Sequence, residues 1–254
     1  MRKKEIHNDY LAFETELDSF IENFEIQGIP FGNQDRNSLK LFELNGVTVN
    51  IKSFKVPNVI NQVMYAFFRK SKAQRSFKYA NKLIDFGIGT PQPIAYYEFK
   101  NPLFKKSYYL SIHQDCDLTF RELTTDFSIP DYENILRAFT KFTFYLHEKS
   151  IHFLDHSPGN TLIKKTNTGY DFSLVDLNRM EFKALDFKTR IKNFSRLTTH
   201  RSMVEVMSDE YAKLYQKNYD KIFNLMWSET QKFQEKYKRK QQLKRTLKFW
   251  KSYD

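Results

Sequence analysis

The chain has 254 residues, of which 41% are hydrophobic and 17% aromatic, so the composition argues against intrinsic disorder and allows one large or two small folded units. Lys and Arg outnumber Asp and Glu by 41 to 30, and the formal charge of +11 favours an anionic partner. Cys116 is the only cysteine, which excludes an internal disulfide and a cysteine-based zinc cluster. The sequence lacks a signal-peptide pattern and a long apolar run, so we expect a soluble or peripheral protein.

Residues 1–114 are predicted to form a small antiparallel sheet with one prominent helix. The predicted elements are, in order, an amphipathic helix at residues 11–24, a hairpin turning at Asn45-Gly46, a helix at residues 70–86 with Gly87 as its C-cap, and two strands joined at Asn101-Pro102. The hairpin is the most sharply specified of these, because Asn-Gly favours the two-residue turn that joins adjacent strands.

A lysine on the second strand of that hairpin is a candidate phosphate ligand. In the segment VNIK, the alternation of strand side chains puts Lys52 on the face opposite to Val49 and Ile51. Most strand lysines are simply solvated, and Lys55 is a nearby alternative of opposite parity. Both lysines therefore stay open from the pattern alone.

Residues 115–230 are predicted to be mostly helical. Ser128 and Asp131 have the spacing of a capping box, and an apolar stripe follows over residues 132–146. Residues 231–254 place aromatic and leucine side chains among many lysines and arginines, which is typical of a basic amphipathic helix. Such a helix either packs on the domain as a solvated terminal element or lies on an anionic membrane surface.

The stretch 151–182, within residues 115–230, contains the candidate catalytic and metal-binding residues. Asp155 and Asn160 fit D-x-x-x-x-N, and Asp176 follows an apolar strand about one hairpin later. Phosphoryl transfer requires a carboxylate to accept a proton, an amide and a second carboxylate to hold a divalent metal, and a lysine at the phosphates. Asp155, Asn160, Asp176 and Lys52 supply that set, although the first two residues also suit a plain capped turn.

Two other kinds of site are weaker interpretations. His147, His152 and His156 lie close in sequence, but no H-E-x-x-H pattern accompanies them, so a zinc site is a minor alternative. No G-x-S-x-G surrounds Ser157, which gives a serine nucleophile little support.

The motifs in order resemble a known family. FLDHSPGN resembles the kinase catalytic loop, and LVDLNR resembles the strand and loop that carry the metal-binding aspartate. Together with NIKSF, SKAQRSFKYA and GIGTPQPIAY, they resemble the lipopolysaccharide core kinase family of Kdo and heptose kinases over about residues 46–182. The resemblance implies an α+β, bilobal protein-kinase-like fold, with an antiparallel-sheet N-lobe and a mostly helical C-lobe.

The resemblance also implies an activity and a set of roles. The enzyme would use ATP and Mg²⁺ to phosphorylate a sugar hydroxyl of the anionic lipid A and inner-core glycolipid, at the cytoplasmic face of the inner membrane. The implied roles are Asp155 as catalytic base, Asn160 and Asp176 as metal ligands, Lys52 and Gly32 at the nucleotide phosphates, and His113 and Gln114 at the interlobe hinge beside adenine. The basic tail would then contact the membrane.

Several residues depart from the kinase pattern. No G-x-G-x-x-G occurs around Gly28 and Gly32, and the helix at 70–86 has Ser76 near the position of the glutamate that usually pairs with the strand lysine. A non-catalytic kinase-like module that binds nucleotide or anionic glycolipid is therefore the main alternative. A basic nucleic-acid binder is the less favoured one.

Overall fold

The computed structural model describes residues 2–32 and 37–250. The chain divides into two compact units: the first comprises Met1–Asp115 with Ser173–Arg179, and the second comprises Cys116–Phe172 with Met180–Asp254. The short segment 173–179 thus belongs to the first unit although it lies far along the chain. It contains Asp176, and its placement decides which side chains surround that carboxylate.

The first unit is built on a six-stranded antiparallel sheet with the order β1-β5-β6-β4-β3-β2. Its strands are β1 (Arg2–Ile6), β2 (Ile29–Pro30), β3 (Asn37–Leu44), β4 (Val47–Phe54), β5 (Pro93–Asn101) and β6 (Leu103–Ile112). The predicted hairpin is confirmed as β3 and β4. Asn45 and Gly46 have φ values of 48° and 80°, as a turn of left-handed residues requires.

Helices cover both faces of this sheet. The helices of the first unit are α1 (Glu14–Glu22), α2 (Val59–Phe67) and α3 (Lys72–Asp85). Leu17 and Ile21 of α1 pack on one face of the sheet with Val49 and Ile51 of β4. Phe77 of α3 packs on the other face, where Phe54 and Tyr96 lie. The alternation of β4 therefore separates its two buried aliphatic residues from the face that carries Lys52.

The helix predicted at residues 70–86 is confirmed as α3. Ser71 caps its start, since the Ser71 hydroxyl oxygen accepts a hydrogen bond from the Gln74 backbone N–H at 3.0 Å. Gly87 follows its end with φ of 69°, the left-handed conformation expected of a C-terminal glycine. The two strands predicted around Asn101-Pro102 are confirmed as β5 and β6.

The second unit is mostly helical, as predicted. Its elements are β7 (Leu118–Thr119), α4 (Phe120–Leu123), α5 (Tyr132–Glu148), β8 (Ile151–Phe153), β9 (Thr161–Thr166), β10 (Gly169–Leu174), β11 (Met180–Phe182), α6 (Phe187–Lys192), α7 (Arg201–Tyr215) and α8 (Tyr219–Trp250). The end of β10, Ser173 and Leu174, groups with the first unit. A cluster of buried residues forms the core, including Phe139 of α5, Phe194 of the 3₁₀ turn after α6, and Met207 and Tyr211 of α7.

Some sequence expectations were wrong. The predicted first helix is shorter, because residues 8–13 form a 3₁₀ turn before α1 begins at Glu14. The capping box at Ser128 and Asp131 is absent: the Ser128 hydroxyl donates to Asp126 Oδ1 at 2.6 Å, and Asp131 makes no side-chain cap to α5. A capping box does form at the start of α4, between Thr119 and Glu122.

The basic helix predicted at residues 231–254 is the continuation of α8, which already begins at Tyr219. Its side chains at residues 235–246 are exposed except that of Gln241, while residues 251–254 lie outside the described residues. Within the described ranges, none of the helices combines the length and the apolar sequence needed to cross a membrane.

Candidate functional site

The strand lysine and the carboxylate after β10 form an ion pair. Lys52 Nζ lies 2.8 Å from Asp176 Oδ1, although the two residues are 124 positions apart in sequence. The Lys52 side chain is 17% exposed and that of Asp176 is 31% exposed, so the pair is partly shielded from water and faces solvent on the carboxylate side. Lys52 Nζ also lies 5.5 Å from the centre of the Phe54 ring.

The segment 173–179 is fixed to the first unit by hydrogen bonds. The Leu174 backbone N–H donates to the Gly89 carbonyl at 2.8 Å, and the Thr90 hydroxyl donates to the Leu174 carbonyl at 2.8 Å. Gln114 adds a third connection, because its side-chain amide donates to the Ser173 hydroxyl oxygen at 2.8 Å. These bonds bring the end of β10 to the loop after α3 and so place Asp176 at Lys52.

The backbone and a neighbouring amide orient the Asp176 carboxylate. Asp176 has a φ of 59°, the left-handed region that non-glycine residues adopt uncommonly and that is often found at functional sites. The Asn178 side-chain amide donates to Asp176 Oδ1 at 2.7 Å. Lys52 and Asn178 thus donate to the same carboxylate oxygen. A carboxylate held in this way is a suitable oxygen ligand for a divalent cation.

No carboxylate from α3 takes part in holding the lysine. The polar residues that α3 buries are Gln74 and Ser76, and the Gln74 amide donates to the Tyr96 hydroxyl oxygen at 3.0 Å. The acidic partner of Lys52 is instead Asp176. The sequence correctly indicated that the usual glutamate is missing, but it gave no sign that Asp176 itself would pair with the lysine.

Lys55, the alternative to Lys52, has a different environment. Its backbone N–H donates to Asn37 Oδ1 at 3.3 Å, and its side chain lines a cleft beside α2 with Asn58 and Asn61. Lys55 lies one residue beyond the end of β4, whereas Lys52 lies within the strand. Lys52 is therefore the lysine that meets Asp176.

His113, Gln114 and Gly32 also lie in the first unit. His113 follows β6, and its backbone N–H donates to the Thr48 carbonyl at 2.8 Å, while its ring contacts Phe31 edge to face at 4.9 Å. Gly32 has a φ of 66° and lies directly before residues 33–36, which are outside the described ranges. Nearby, a Cβ added to Gly28 would come within 2.5 Å of the Phe42 ring.

The D-x-x-x-x-N motif forms a compact turn in the second unit. Asp155 follows β8, and a short 3₁₀ turn at Pro158–Asn160 leads into β9. The Asn160 side-chain nitrogen donates to the Asp155 backbone carbonyl at 2.8 Å. This bond uses the amide nitrogen of Asn160 and not its amide oxygen, Oδ1. Asn160 therefore joins the two ends of the motif and presents the kind of oxygen that magnesium prefers.

Two arginines that the sequence analysis missed lie at this turn. Arg196 Nη1 contacts Asp155 Oδ1 at 2.7 Å and donates to the Leu154 carbonyl at 2.9 Å. The terminal nitrogen of Arg121 lies against Gly159, 2.6 Å from where a Cβ would stand. Neither arginine belongs to a motif, and both come from other segments, so only the fold brings these cations to Asp155 and Gly159.

The histidines near the turn belong to the core. His147 contacts the Tyr211 hydroxyl at 2.9 Å and Asn193 Oδ1 at 3.1 Å, and His156 contacts the Thr143 hydroxyl at 3.2 Å. Burial lowers the pKa of His147 and of His156 to about 3, so both rings are neutral near pH 7. Neutral, buried and hydrogen-bonded rings of this kind are typical of a structural role in the core.

Comparisons with known proteins bear on the fold. No protein-family profile matches the chain, and no curated protein matches it in sequence. Solved structures do match: 1121 chains are similar, so the fold is a widespread one. One of them, "WaaP in complex with acyl carrier protein", has a TM-score of 0.63 and 14% sequence identity, and the match covers 92% of this chain and 98% of that one. At this identity the likeness concerns the fold, and it supports the kinase-like α+β fold expected from the sequence.

Proposed function

We propose that the chain is an ATP- and Mg²⁺-dependent kinase that phosphorylates a sugar hydroxyl of the lipopolysaccharide inner core, on Kdo or heptose. The observation that carries this proposal is the contact of 2.8 Å between Lys52 Nζ and Asp176 Oδ1. The motif order assigned these two residues separately to the nucleotide phosphates and to the metal. A nucleotide site would require these two residues to lie close together. They are 124 positions apart in sequence, so it is the fold that brings them into contact.

The remaining roles follow from the chemistry of each side chain. Asp155 is the general base that accepts the proton of the acceptor hydroxyl, and Arg196 keeps its carboxylate in place. Asn160 and Asp176 supply oxygen ligands for Mg²⁺, which would neutralise charge on the transferred phosphate. Gly32 would lie at the phosphates, and His113 and Gln114 would form the hinge beside adenine in a bilobal arrangement.

The choice of acceptor has three supports. The motifs of residues 46–182 resemble those of lipopolysaccharide core kinases, and the solved structure of WaaP in complex with acyl carrier protein has a similar fold. The formal charge of +11 suits an acidic glycolipid. Arg121 and Arg196 add positive charge directly at the Asp155 turn, where the acceptor hydroxyl would bind. We propose a location on the cytoplasmic face of the inner membrane, with the basic part of α8 as one membrane contact.

The experiment is mass spectrometry of the inner-core glycolipid from cells with and without the gene. The proposal predicts that the deletion removes one phosphate from a core sugar and that the purified protein restores it with ATP and Mg²⁺. A glycolipid whose phosphate content does not change, together with no transfer by the purified protein, would contradict the proposal.

A non-catalytic nucleotide-binding module is the second candidate. The observation that favours it is the ion pair itself: α3 provides no carboxylate for Lys52, and the lysine is held by the residue that would bind metal. This alternative predicts that the purified protein binds ATP but transfers no phosphate to the glycolipid. Measurable transfer above the rate without protein would exclude it.

A further inference from the structure

Helix α2 presents an apolar face to solvent. Val59, Ile60, Val63 and Phe67 recur at the spacing of one helical face, and they are 63%, 77%, 37% and 69% exposed. Phe68, directly after the helix, is 74% exposed. Single exposed apolar residues are common on protein surfaces, but a contiguous set of large ones marks an interaction site. These five residues are called the α2 surface below.

The opposite side of α2 fixes the helix on the sheet. The Tyr65 ring packs on Phe104 of β6 with 5.5 Å between the ring centres. Asn58 caps the start of the helix, because its Oδ1 accepts a hydrogen bond from the Asn61 backbone N–H at 3.1 Å. The helix is thus anchored by Tyr65 and its cap, and the outward orientation of the α2 surface is a property of the fold.

The charged residues that flank α2 in sequence are all basic. The sequence contains no Asp or Glu from residue 44 to residue 84. The cations in this range are Lys52, Lys55, Arg69, Lys70, Lys72, Arg75, Lys78 and Lys82. Lys55 and Lys72 line a cleft of about 360 Å³ between α2 and β6, together with Asn58 and Asn61. Arg69 and Lys70 follow Phe68 directly and are exposed.

We propose that the α2 surface docks on an anionic lipid bilayer. The apolar side chains would enter the boundary between headgroups and acyl chains, while the neighbouring lysines and arginines contact lipid phosphates. A bilayer fits better than a protein partner for two reasons. The exposed residues project from the outside of a helix instead of lining a groove, and the charged residues that flank the helix in sequence are all basic, which suits lipid phosphates. This docking requires no kinase activity.

The test is binding of the full chain to lipid vesicles, measured by co-sedimentation without nucleotide. Vesicles of phosphatidylcholine alone are compared with vesicles of phosphatidylcholine mixed with phosphatidylglycerol. The double variant Ile60→Ser/Phe67→Ser removes the two most exposed residues of the helix itself. Its matched control is Leu11→Ser/Ile26→Ser, which changes residues that are 53% and 83% exposed elsewhere in the same unit.

We expect the wild type and the control to bind the phosphatidylglycerol vesicles and to bind neutral vesicles much less. The Ile60→Ser/Phe67→Ser protein should bind the anionic vesicles at least about tenfold more weakly, since burying one such side chain is worth about 1.5–3 kcal/mol and 1.4 kcal/mol is a factor of ten. Circular dichroism should report the same fold for both variants, because the changed residues are exposed.

Three results would overturn the inference. One is unchanged vesicle binding by Ile60→Ser/Phe67→Ser. If Leu243→Ser weakened binding instead, the basic C-terminal part of α8 would be the segment that contacts the bilayer. Another is equal binding to neutral and anionic vesicles. The third is an absence of vesicle binding with a concentration-dependent dimer on gel filtration that the double variant abolishes, which would identify a second copy of the chain as the occupant. Loss of phosphate transfer with intact vesicle binding would count against the proposed kinase only.

Discussion

Arg196 should act as a positioning residue for Asp155, and replacing it by Met tests this. The change removes the ion pair of 2.7 Å to Asp155 and the hydrogen bond to the Leu154 carbonyl. It also removes the stacking of the guanidinium on Phe233 of α8, where the Arg196 Cζ atom lies 5.7 Å from the ring centre. Arg196 thus connects the Asp155 turn to a helix of the same unit.

The expected cost can be worked from these contacts. A hydrogen bond to a charged group contributes about 1.5–3 kcal/mol, and the lower end applies here because the Arg196 side chain is 32% exposed. The cation–π contact adds about 0.5 kcal/mol. Arg196→Met should therefore lower the free energy of unfolding by about 2 kcal/mol, which is about 1 M in the urea midpoint for an m-value of about 2 kcal/mol/M.

Arg201→Met is the matched control. Arg201 also forms an ion pair, with Glu205 at 2.9 Å, and stacks on Phe223 at 5.3 Å, but its side chain is 64% exposed. An exposed pair of this kind contributes about 0.5 kcal/mol. Urea unfolding followed by circular dichroism compares the two variants, and ATP turnover with glycolipid measures their kcat and KM.

Activity separates positioning from mere stabilisation. If Arg196 orients Asp155, Arg196→Met should lower kcat by about tenfold to a hundredfold while KM for ATP stays unchanged, and Arg196→Lys should recover part of the loss. Equal midpoints and equal kcat values for Arg196→Met and Arg201→Met would refute the reasoning.

Three further predictions concern nucleotide binding, backbone strain and pH. If Lys52 contacts the nucleotide phosphates, Lys52→Met should weaken ATP binding at least about tenfold by calorimetry, whereas Lys55→Met should not; the reverse order would assign the nucleotide to the cleft that Lys55 lines. Gly28→Ala should lower the free energy of unfolding by about 2–4 kcal/mol, because the added Cβ would be strained in the left-handed conformation and would clash with the Phe42 ring. Gly46→Ala should lower it by only about 1 kcal/mol, because the surroundings of Gly46 are open. Equal urea midpoints for the two variants would contradict the clash. The pKa of His156 is about 3 when folded and about 6.5 when unfolded, so the unfolded state binds more protons between these values, and His156 lowers stability by about 1.4 kcal/mol per pH unit as pH drops below about 6.5. His156→Asn should make that decline shallower by the same slope, and an unchanged slope would show that the ring does not titrate this way.

Local signals explain which elements of the fold were predictable. The Asn45-Gly46 turn and the end of α3 at Gly87 are specified by residues within a few positions, and both were predicted correctly. Strand β1 was missed because RKKEI has no apolar alternation, and its conformation depends on pairing with β5, about ninety residues away. Helix α2 was missed since its apolar side chains do not face a core.

The same distinction applies to the candidate site: its residues could be selected from the sequence, but the contacts that hold them could not. The order of Lys52, Asp155, Asn160 and Asp176 along the chain was enough to select them, because each belongs to a short pattern. What holds them could not be predicted. Arg196 lies in a short 3₁₀ turn, far from Asp155 in sequence and outside any motif, so only tertiary packing places its guanidinium there.

Transfer of labelled phosphate from ATP to the inner-core glycolipid by Asp155→Asn tests the central claim most directly. Asp171→Asn on β10 is the control, since Asp171 is exposed and the change is the same. If Asp155 is the general base, Asp155→Asn should reduce transfer by about a thousandfold with an unchanged circular dichroism spectrum, and Asp171→Asn should behave as the wild type. Undiminished transfer by a folded Asp155→Asn protein would contradict the account.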